Sequence, residues 1–589
     1  MKPDLSLLPD TVTAPRTDPI YNCHGYLTKV PIAAIEPFIS VFTEPGETVA
    51  DVFAGSGMTG LAALRLGRAA ELSDISVLGR HIATGYSTFV SQKAMQIAAQ
   101  KVINSARAAV GELYTTRRQV DGIIVDMIRT VWSFVYACPS CDAELVYYQY
   151  VSNGGPPEAC PKCSFRFVRR NWIRKDDIPV EIVVRNHDGR LREQPISDFD
   201  IGLIRAASKD PRQTEIPSAV ISEHREMFSR SGLRKAGLVK TSDFFSSRNA
   251  IALIELWKVI NEIKDERIRK KLQFVFTSIL PRASRRYQWS PKRPLNAQNQ
   301  TYYIAPVYYE WNVFDLFSRK VDAAMRSDNY LFGTTPLLRG ALEDLRYNLT
   351  SADEVSHILS SSIDYVFTDP PFGSNIFYSD MNLFHEAWLG KITDNRFEAV
   401  VHTTGKRKER AEQRYEALLK SAFREAFRIL KPGRFISLVF GNSSGRIWGL
   451  VQRALREAGF KEAPSHVAIL DKGQRSVKGL NSGSESVVTV DLILTVQKPM
   501  KGEKRRDIPE LKNIDTQRFI SEALSEVGEV RNPSHLYASI LRKAISEHYT
   551  LDHLHLTDVL IAVRNAGYVI DTKTGLLSTA PHATHAAAS

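Results

Sequence analysis

The chain contains little cysteine and no long apolar run. Five of its 589 residues are cysteines, and no stretch of about eighteen consecutive apolar residues is present that could form a membrane-spanning helix. The N-terminal segment MKPDLSLLPD also lacks the basic start and the apolar centre of a signal peptide. We therefore expect a cytoplasmic protein without a membrane partner, in which cysteines do not build a disulfide framework.

Basic residues outnumber acidic ones. The chain has 77 Lys and Arg against 65 Asp and Glu, which gives a formal net charge of +12 and an isoelectric point near 9.3. This excess suits a polyanionic partner but does not identify one. Hydrophobic residues make up 43% and charged residues 24%, which is typical of a globular protein long enough for several domains.

Four of the five cysteines form two Cys-x-x-Cys pairs, CPSC at 138–141 and CPKC at 160–163. This spacing is typical of a zinc ribbon, and four thiolates leave no open position for a substrate. The segment between the pairs, with its Asn153-Gly154-Gly155 turn, predicts a hairpin, and the lone Cys23 is expected to be a small buried residue. We predict a structural Zn²⁺ held by Cys138, Cys141, Cys160 and Cys163.

The string DVFAGSGMTG at 51–60 predicts a cofactor-binding turn. A short apolar run, 48–53, leads into the turn, and an apolar helix is expected over 58–66. Gly55 and Gly57 allow the backbone to approach a ligand closely, and the following helix start offers N–H groups. A generic strand–helix turn is the alternative.

A second predicted strand, 68–74, ends in Asp74 and is followed by a helix that begins at Ser76. A carboxylate about 20 residues beyond a glycine loop is well placed to bind ribose hydroxyls.

The string TDPPFG at 368–373 follows another predicted buried strand, 363–367. Its two prolines fix the backbone and remove two donors, so that the Pro370 carbonyl has no local N–H partner. Asp369 and this carbonyl could accept both hydrogens of an exocyclic amine, which would draw the nitrogen lone pair out of conjugation. Phe372 offers a flat face to a planar base, which would first have to leave a duplex. A proline-stiffened strand end is the alternative.

Together these motifs resemble those of the amino-directed DNA methyltransferases, which use S-adenosylmethionine to make N6-methyladenine or N4-methylcytosine. The resemblance covers residues 20–90 and 300–500. Segment 22–31 resembles the motif before the cofactor loop, and 426–460 resembles a later helix–strand–helix unit. The chain departs from the family at Val52, Met58 and Phe372, where Pro, Thr and Tyr are commoner, and no required chemical group is lost.

The resemblance implies an α/β fold with a Rossmann-like, doubly wound methyltransferase sheet. It implies S-adenosyl-L-methionine as cofactor and double-stranded DNA as partner, and it allows a restriction or defence protein as a further partner. The catalytic residues implied are Asp369, Pro370, Pro371 and Phe372. The cofactor-binding residues implied are Lys29, Asp51, Phe53, Ala54, Gly55, Ser56, Gly57 and Asp74.

The leading hypothesis is a site-specific DNA methyltransferase that acts on the N6 amine of adenine, because Asp-Pro-Pro-aromatic loops are commoner in the adenine group of this family. An N4-cytosine DNA methyltransferase, an RNA guanine-N2 methyltransferase and a non-catalytic zinc protein that binds DNA are the alternatives. Cytosine C5 methylation is not expected, since it needs a nucleophilic cysteine in a Pro-Cys loop, and here each Cys-Pro lies in a zinc pair.

A large insertion separates the two motifs. We predict the first half of the methyltransferase domain over 1–110, ending in a long helix, and the second half over 301–500. The insertion, 111–300, includes the zinc ribbon (138–163), a strand at 180–184 and helices within 248–280. In this family such an insertion commonly carries target recognition, although the zinc ribbon could merely brace it.

The C-terminal part is predicted as a small helical module, 505–578, followed by a disordered tail, 579–589. Apolar residues recur at helical spacing through 534–546 and 555–567, and a short hairpin is predicted after these two segments. This module could contact DNA, dimerise or simply pack against the rest of the chain.

Two basic stretches are candidates for phosphate contact. Residues 281–293 interleave cations with aromatics, a mixture that suits phosphate contact and base stacking, although a solvated basic loop is the alternative. A second cluster, 406–410, follows the catalytic motif, and the same two interpretations apply to it. The predicted DNA contacts are Arg282, Arg285, Arg286, Tyr287, Trp289, Lys292 and Arg293.

Overall fold

The described part of the chain contains two larger sheets, a two-stranded sheet and many helices. The computed structural model describes residues 3–13, 18–291, 302–333, 345–374, 376–403, 408–461, 465–471, 490–503, 516–526, 533–565, 567–570 and 577–579. Its strands are β1 (Thr11–Thr13), β2 (Thr48–Asp51), β3 (Ala69–Asp74), β4 (Thr115–Arg117), β5 (Ile124–Ala137), β6 (Glu144–Val146), β7 (Ile173–Arg185), β8 (Leu191–Pro195), β9 (Val307–Trp311), β10 (Leu345–Leu349), β11 (Ile363–Thr368), β12 (Leu430–Phe440), β13 (His466–Asp471), β14 (Val490–Gln497), β15 (Tyr568–Ile570) and β16 (Leu577–Thr579).

The helices lie between these strands and at the C-terminal side. They are α1 (Pro19–Cys23), α2 (Ile32–Phe42), α3 (Met58–Arg65), α4 (Val77–Ser87), α5 (Gln92–Val110), α6 (Tyr147–Val151), α7 (Asp198–Lys209), α8 (Glu226–Arg230), α9 (Leu233–Ala236), α10 (Ser247–Asn261), α11 (Glu266–Ala283), α12 (Val313–Phe332), α13 (Tyr378–Leu389), α14 (Ala411–Ile429), α15 (Gly445–Ala458), α16 (Thr516–Glu526), α17 (Pro533–Ser546) and α18 (Leu556–Asn565). Across the described ranges, none of the helices has the length and apolar character needed to cross a membrane.

The larger sheet has eight strands in the order β1-β13-β14-β12-β11-β2-β3-β10. All neighbouring pairs are parallel except the two that involve β14. Strands β2 and β11, which were predicted to precede the two motifs, are direct neighbours, with Val49 opposite Tyr365. Both motifs therefore leave the sheet at the same edge.

Helices cover both faces of this sheet. Val49 and Tyr365 pack on one face with Phe42 of α2, whereas Ala50 and Val366 pack on the other in the core that contains α14 and α15. Parallel strands buried on both faces read as almost continuous apolar runs, which is why these strands could be predicted. The predicted α/β class is confirmed, and strand β10 was not predicted.

The insertion builds a second, antiparallel sheet around the long strand β5. Strands β4, β6, β7 and β9 all pair with β5, and β8 pairs with β7. The strand predicted at 180–184 lies within β7. Because β9 pairs with β5, this sheet extends to Trp311, and the predicted boundary of the insertion at residue 300 stays a prediction.

The hairpin predicted between the cysteine pairs is wrong. Residues 147–151 form helix α6 instead, because Tyr147 packs edge-on against Tyr136 of β5 with ring centroids 6.0 Å apart and the Tyr148 amide donates to the Ser133 hydroxyl at 2.9 Å. Gly154 and Gly155 follow this short helix rather than forming the tip of a hairpin.

The C-terminal segment packs against the larger sheet. Helix α17 contacts β13 and β14, the Tyr537 hydroxyl donates to the Leu554 carbonyl at 2.8 Å, and Arg453 of α15 pairs with Asp552 at 2.8 Å. The predicted helices correspond to α17 and α18, and the predicted hairpin corresponds to β15 and β16. A packing role is thus present, while DNA contact and dimerisation stay predictions, and residues 580–589 of the predicted tail lie outside the described part.

We expect Gly445→Ala to loosen this packing. A Cβ at residue 445 would lie 2.3 Å from the Leu551 carbonyl oxygen and 2.6 Å from the Leu554 nitrogen, and backbone atoms cannot move aside cheaply. The free energy of unfolding should fall by about 1–3 kcal/mol, and amide exchange across α17 and α18 should accelerate.

The matched control is Gly202→Ala in α7, where a Cβ would meet no atom within 4 Å. This substitution should raise the free energy of unfolding by about 0.5–1 kcal/mol, since alanine favours helix interiors. Urea denaturation and hydrogen exchange measure both effects. Equal stabilisation by the two substitutions would contradict the packing described for Gly445.

Candidate functional site

The Asp51 carboxylate joins the two motif-bearing strands. One oxygen accepts hydrogen bonds from the Phe53 amide at 3.0 Å and the Thr368 hydroxyl at 2.7 Å, and the other accepts from the Thr59 hydroxyl at 2.7 Å. Burial raises the pKa of Asp51 to about 6, against the opposing effect of these hydrogen bonds. Asp51 therefore ties the glycine loop to α3 and to the residue directly before Asp369.

The glycine loop is held tightly under helix α4. The Gly55 amide donates to Asp74 at 2.8 Å, and the Tyr347 hydroxyl donates to the Gly55 carbonyl at 2.7 Å. Gly57 has a φ of +80°, and a Cβ there would lie 2.6 Å from the Ala83 Cβ. Since a side chain at residue 57 would be both strained and crowded, glycine is required at that position.

Asp74 lies at the end of β3, beside the loop. Its second carboxylate oxygen accepts from the Ser76 amide at 2.8 Å. Burial raises the pKa of Asp74, and its hydrogen bonds to the Gly55, Ser76 and Ile75 amides act in the opposite direction. Asp74 thus supports the loop and also lines the neighbouring cleft.

The Asp-Pro-Pro-Phe loop is fixed through its later carbonyls. The Pro371 carbonyl accepts from the Tyr415 hydroxyl at 2.6 Å, and the Phe372 carbonyl accepts from the Asn442 side chain at 2.8 Å. The ring of Phe372 packs edge-on against Phe440, with centroids 5.1 Å apart. Among the backbone hydrogen bonds between described residues, none involves the Pro370 carbonyl.

One cleft contains both motifs and encloses about 890 Å³ of empty space, part of it open to solvent. The predicted cofactor-binding residues line it with the exception of Gly57, and Asp369 and Pro371 line it as well, whereas Pro370 and Phe372 do not. Sequence reasoning missed several polar or aromatic side chains of the lining, namely Tyr26, Thr28, Ser76, Ser351, Tyr378, Ser379, Asn382, Thr393, Phe397 and Glu398.

A weak signal for part of this set was present in the sequence. Tyr378, Ser379 and Asn382 have the spacing of one side of a helix and follow shortly after the catalytic motif. Ser351 follows β10, which was not predicted, so its position at the sheet edge could not be inferred.

The four paired cysteines come together in the insertion. Their sulfur atoms all lie within 4.8 Å of one another, with 3.6 Å between Cys138 and Cys163 and 3.6 Å between Cys141 and Cys160. A tetrahedron of sulfurs about 2.3 Å from one zinc ion has edges of about 3.8 Å. The donor set and its spacing fit a single tetrahedral metal.

Both cysteine pairs form the same tight turn. The Cys138 amide donates to the Ala143 carbonyl at 3.0 Å and the Cys160 amide to the Phe165 carbonyl at 2.8 Å. The residue after each second cysteine has a positive φ, 56° at Asp142 and 59° at Ser164. This repeated turn directs the sulfurs of each pair to one point.

Residues 10–89 match the family model N6_N4_Mtase, described as DNA methylase. The matched segment contains β2, the glycine loop and Asp74. The resemblance to the amino-directed DNA methylases is confirmed over these residues. No curated protein matches the chain.

Three solved structures of a Thermus thermophilus protein, provisionally named a DNA modification methylase, are similar to part of the chain. The selenomethionine derivative is 20% identical to this chain, the complex with S-adenosyl-L-methionine is 19% identical and a third structure is 20% identical. Each match has a TM-score of 0.16 and covers 30% of this chain. The match spans 60%, 60% and 61% of those chains. Likeness at this TM-score establishes no shared fold.

Lys29, in the methylase-like segment, lines the cleft but uses its ammonium elsewhere. The Nζ atom donates to the carbonyls of Tyr21 at 2.8 Å, His24 at 2.8 Å and Ile20 at 3.3 Å, which stabilises the end of α1. Burial lowers the pKa of Lys29 to about 7. A direct contact between Lys29 and the cofactor stays a prediction.

The described residues of the basic stretch predicted to contact DNA are largely packed against the rest of the chain, and the prediction for them needs correction. Arg286 is only 4% exposed, with its guanidinium 3.7 Å from the Phe384 ring centroid, and burial lowers its pKa to about 10. Tyr287 is buried too, and Arg285 pairs with Asp177 at 3.4 Å. Composition alone could not distinguish these packed cations from solvated ones.

The remaining predicted DNA contacts within the described part of that stretch are partly buried. Arg282 lies over the Tyr287 ring at 5.5 Å, and the half-buried Trp289 packs edge-on against Tyr148 at 5.3 Å. Lys292 and Arg293 lie outside the described residues, as do Lys406 and Arg407 of the second cluster. Lys408 and Arg410 are exposed, and their phosphate contact stays a prediction.

The insertion contacts the segment that follows the catalytic loop through an ion pair and hydrogen bonds. Arg225 pairs with Asp380 of α13 at 3.0 Å, and the Met227 amide donates to the same carboxylate at 2.9 Å. The adjacent Glu226 accepts from the Thr403 amide at 3.1 Å. These buried contacts connect the insertion to the wall of the cleft.

Glu398 is a partly buried carboxyl in the cleft wall. It accepts from the Ser379 amide at 3.0 Å. Burial raises the pKa of Glu398 to about 7, with a smaller contribution from the charge of Asp380, and the hydrogen bonds from Ser379 oppose the shift. Glu398 is therefore protonated in a folded chain over much of the mildly acidic range.

We expect Glu398 to make the stability fall as pH rises from about 5 to 7. In that window the folded chain retains a proton that an unfolded glutamate, with its ordinary pKa of 4.5, has lost, so the unfolded state binds fewer protons and the free energy of unfolding decreases. Glu398→Gln cannot titrate and should show a shallower decline, by an amount on the order of 1–3 kcal/mol.

Urea denaturation at several pH values between 5 and 7.5 measures this difference, with the exposed Glu354→Gln as the matched control. Parallel pH dependence in the wild-type chain and in Glu398→Gln would contradict the raised pKa.

Proposed function

We propose that the chain is a DNA methyltransferase that transfers a methyl group from S-adenosyl-L-methionine to the exocyclic N6 amine of adenine. The observation that carries this proposal is the 2.7 Å hydrogen bond from Thr368 to Asp51. It holds the glycine loop and Asp369 in one cleft, and this is the arrangement that amine methylation requires.

The residues of the cleft fit the cofactor. Asp74 has the position of a ribose acceptor at the end of the second parallel strand, and the loop backbone at 53–55 lies beside it. Tyr26 lies against the same loop, where a Cβ at Gly55 would be 3.2 Å from its ring, and Thr28 also lines the cleft. When bound, S-adenosyl-L-methionine would supply the electrophilic methyl group.

The catalytic loop would prepare the target amine. Asp369 and the Pro370 carbonyl would each accept one amine hydrogen, which localises the nitrogen lone pair and directs it away from the ring. Tyr415 and Asn442 hold the two following carbonyls, so that the loop is preorganised and the acceptors need no rearrangement. The same pair of acceptors would serve the N4 amine of cytosine, so the choice of adenine rests on the family association of an Asp at residue 369.

We expect Asp369→Ala to lower the rate of methyl transfer to DNA by about 10²–10³-fold. Affinity for S-adenosyl-L-methionine should remain, because the side chain acts on the amine and not on the methyl donor. Asp369→Asn keeps one carbonyl acceptor in the same place and should retain part of the activity. Tritium transfer to DNA and calorimetry with the cofactor measure the two properties.

Near wild-type transfer by Asp369→Ala would overturn the proposed role of this loop. Single-molecule mapping of methylated bases in DNA from expressing cells would report adenine or cytosine together with the sequence context. Label appearing in transfer RNA and not in DNA would favour the RNA guanine-N2 alternative, and no transfer to either polymer would favour the non-catalytic one.

We also infer that Cys138, Cys141, Cys160 and Cys163 hold one structural Zn²⁺. Cys138 directly follows the last residue of β5, and Ala137 at that end pairs with Ile173, the first residue of β7. A metal at this point would connect the ends of β5 and β7 to the segment that carries Cys160 and Cys163.

Purified protein should contain about one zinc per chain. Cys160→Ser should lose the metal and destabilise the insertion, whereas Cys23→Ser, which changes a buried cysteine away from the cluster, should keep it. Elemental analysis and protease digestion measure both. Protein prepared without chelators that contains no zinc would end this proposal.

A further inference from the structure

A short turn at the mouth of the cleft presents an exposed aromatic ring beside a cation. The turn spans Asn395–Phe397, and Phe397 is 49% exposed although it lines the same cleft as Asp369 and Pro371. The other aromatic side chains of the lining are half-buried or buried. An exposed ring in such a place can cover a planar ligand without first leaving a packed core.

The position of this ring is fixed relative to the catalytic loop. Asp394 caps the turn by accepting from the Arg396 amide at 3.0 Å. The next residue, Glu398, is anchored to Ser379, and the Val401 amide donates to the Gly373 carbonyl at 3.1 Å. The turn is thus attached on both sides to the elements that carry the predicted chemistry.

Arg396 adds a charge at the edge of the same surface. Its side chain is 75% exposed, and the guanidinium lies 5.8 Å from the Phe397 ring centroid. Its ion pair with Asp394 is exposed, and such pairs contribute little free energy, so a phosphate could compete for the guanidinium. Lys391 and the 43%-exposed Ile392 continue the surface.

Phe372 is less well placed for the same task. It packs edge-on against Phe440 and does not belong to the cleft lining. Phe397 is therefore the most exposed aromatic side chain of the described cleft lining, and an aromatic next to a cation is the combination by which proteins bind an unpaired nucleotide.

We propose that Phe397 stacks on the extruded target base and that Arg396 contacts a phosphate next to it. This inference rests on the proposed function and names the surface that receives the methyl acceptor. Phe397 would contact the substrate directly, and its contribution would be to hold the base against Asp369.

The test compares wild-type protein with Phe397→Ala, Phe397→Tyr and Arg396→Gln, using a DNA duplex that contains the mapped methylation site. Ile97→Ala, which removes another largely exposed apolar side chain, is the matched control.

We expect Phe397→Ala to lower kcat/KM for DNA by about 10-fold or more, with unchanged affinity for S-adenosyl-L-methionine. Phe397→Tyr should restore activity, and Arg396→Gln should raise KM and weaken the salt dependence of binding.

A second duplex that has an abasic site in place of the target base separates base contact from a structural effect. Phe397→Ala should bind this duplex as tightly as the wild-type protein does, and should be weaker only when the base is present. Equal weakening on both duplexes, or wild-type kinetics for Phe397→Ala, would overturn the inference. If wild-type protein transferred no methyl group to any DNA, the proposed function itself would fail.

Discussion

The hydrogen bonds of the buried Asp51 carboxylate hold the two halves of the candidate site together. The chain separates the glycine loop from the catalytic loop by about three hundred residues, and only the pairing of β2 with β11 makes them neighbours. Pairing sets the strands side by side but does not fix the loops beyond their ends. Asp51 does this, because its oxygens bind Phe53 and Thr59 on one side and Thr368 on the other. Since an unpaired carboxylate at such a site would be costly, all three donors are needed for this arrangement.

The insertion is mechanically part of the site, although its sheet is separate. Arg225 and Glu226 bind Asp380 and Thr403, on either side of the segment that carries Phe397 and Glu398. A buried ion pair that loses one partner leaves an uncompensated charge, so a displacement of α8 would strain α13. If the insertion moved when a polymer bound, these contacts would therefore displace the cleft wall. No motif in the sequence indicates these contacts.

The sequence was sufficient to predict the strands that end in Asp51, Asp74 and Thr368. Buried parallel strands are runs of apolar residues, and the motifs mark the ends of these three. It was also sufficient for the cysteine cluster, whose spacing reflects local turns. It failed at Arg286 and Tyr287, where the chain leaves α11 and enters the insertion sheet, since composition carries no information on long-range partners. The polar lining from α13 was missed although its spacing marks one side of a helix, because the sequence does not show that Glu398 and the cleft lie beside Ser379.

The two sides of the cleft differ in how completely their polar groups are paired. On the cofactor side, Asp51, Asp74 and the Gly55 carbonyl already have protein partners, so this side is rigid before any ligand arrives. On the acceptor side, the Pro370 carbonyl takes part in none of the backbone hydrogen bonds between described residues, and the Phe397 ring faces solvent. A hydrogen-bond acceptor in a cleft is better satisfied by a ligand that brings donors than by displaced water, and an exposed ring gains by being covered. A planar base that carries an exocyclic amine would supply both, and this is the substrate chemistry that the proposed function assigns to the acceptor side.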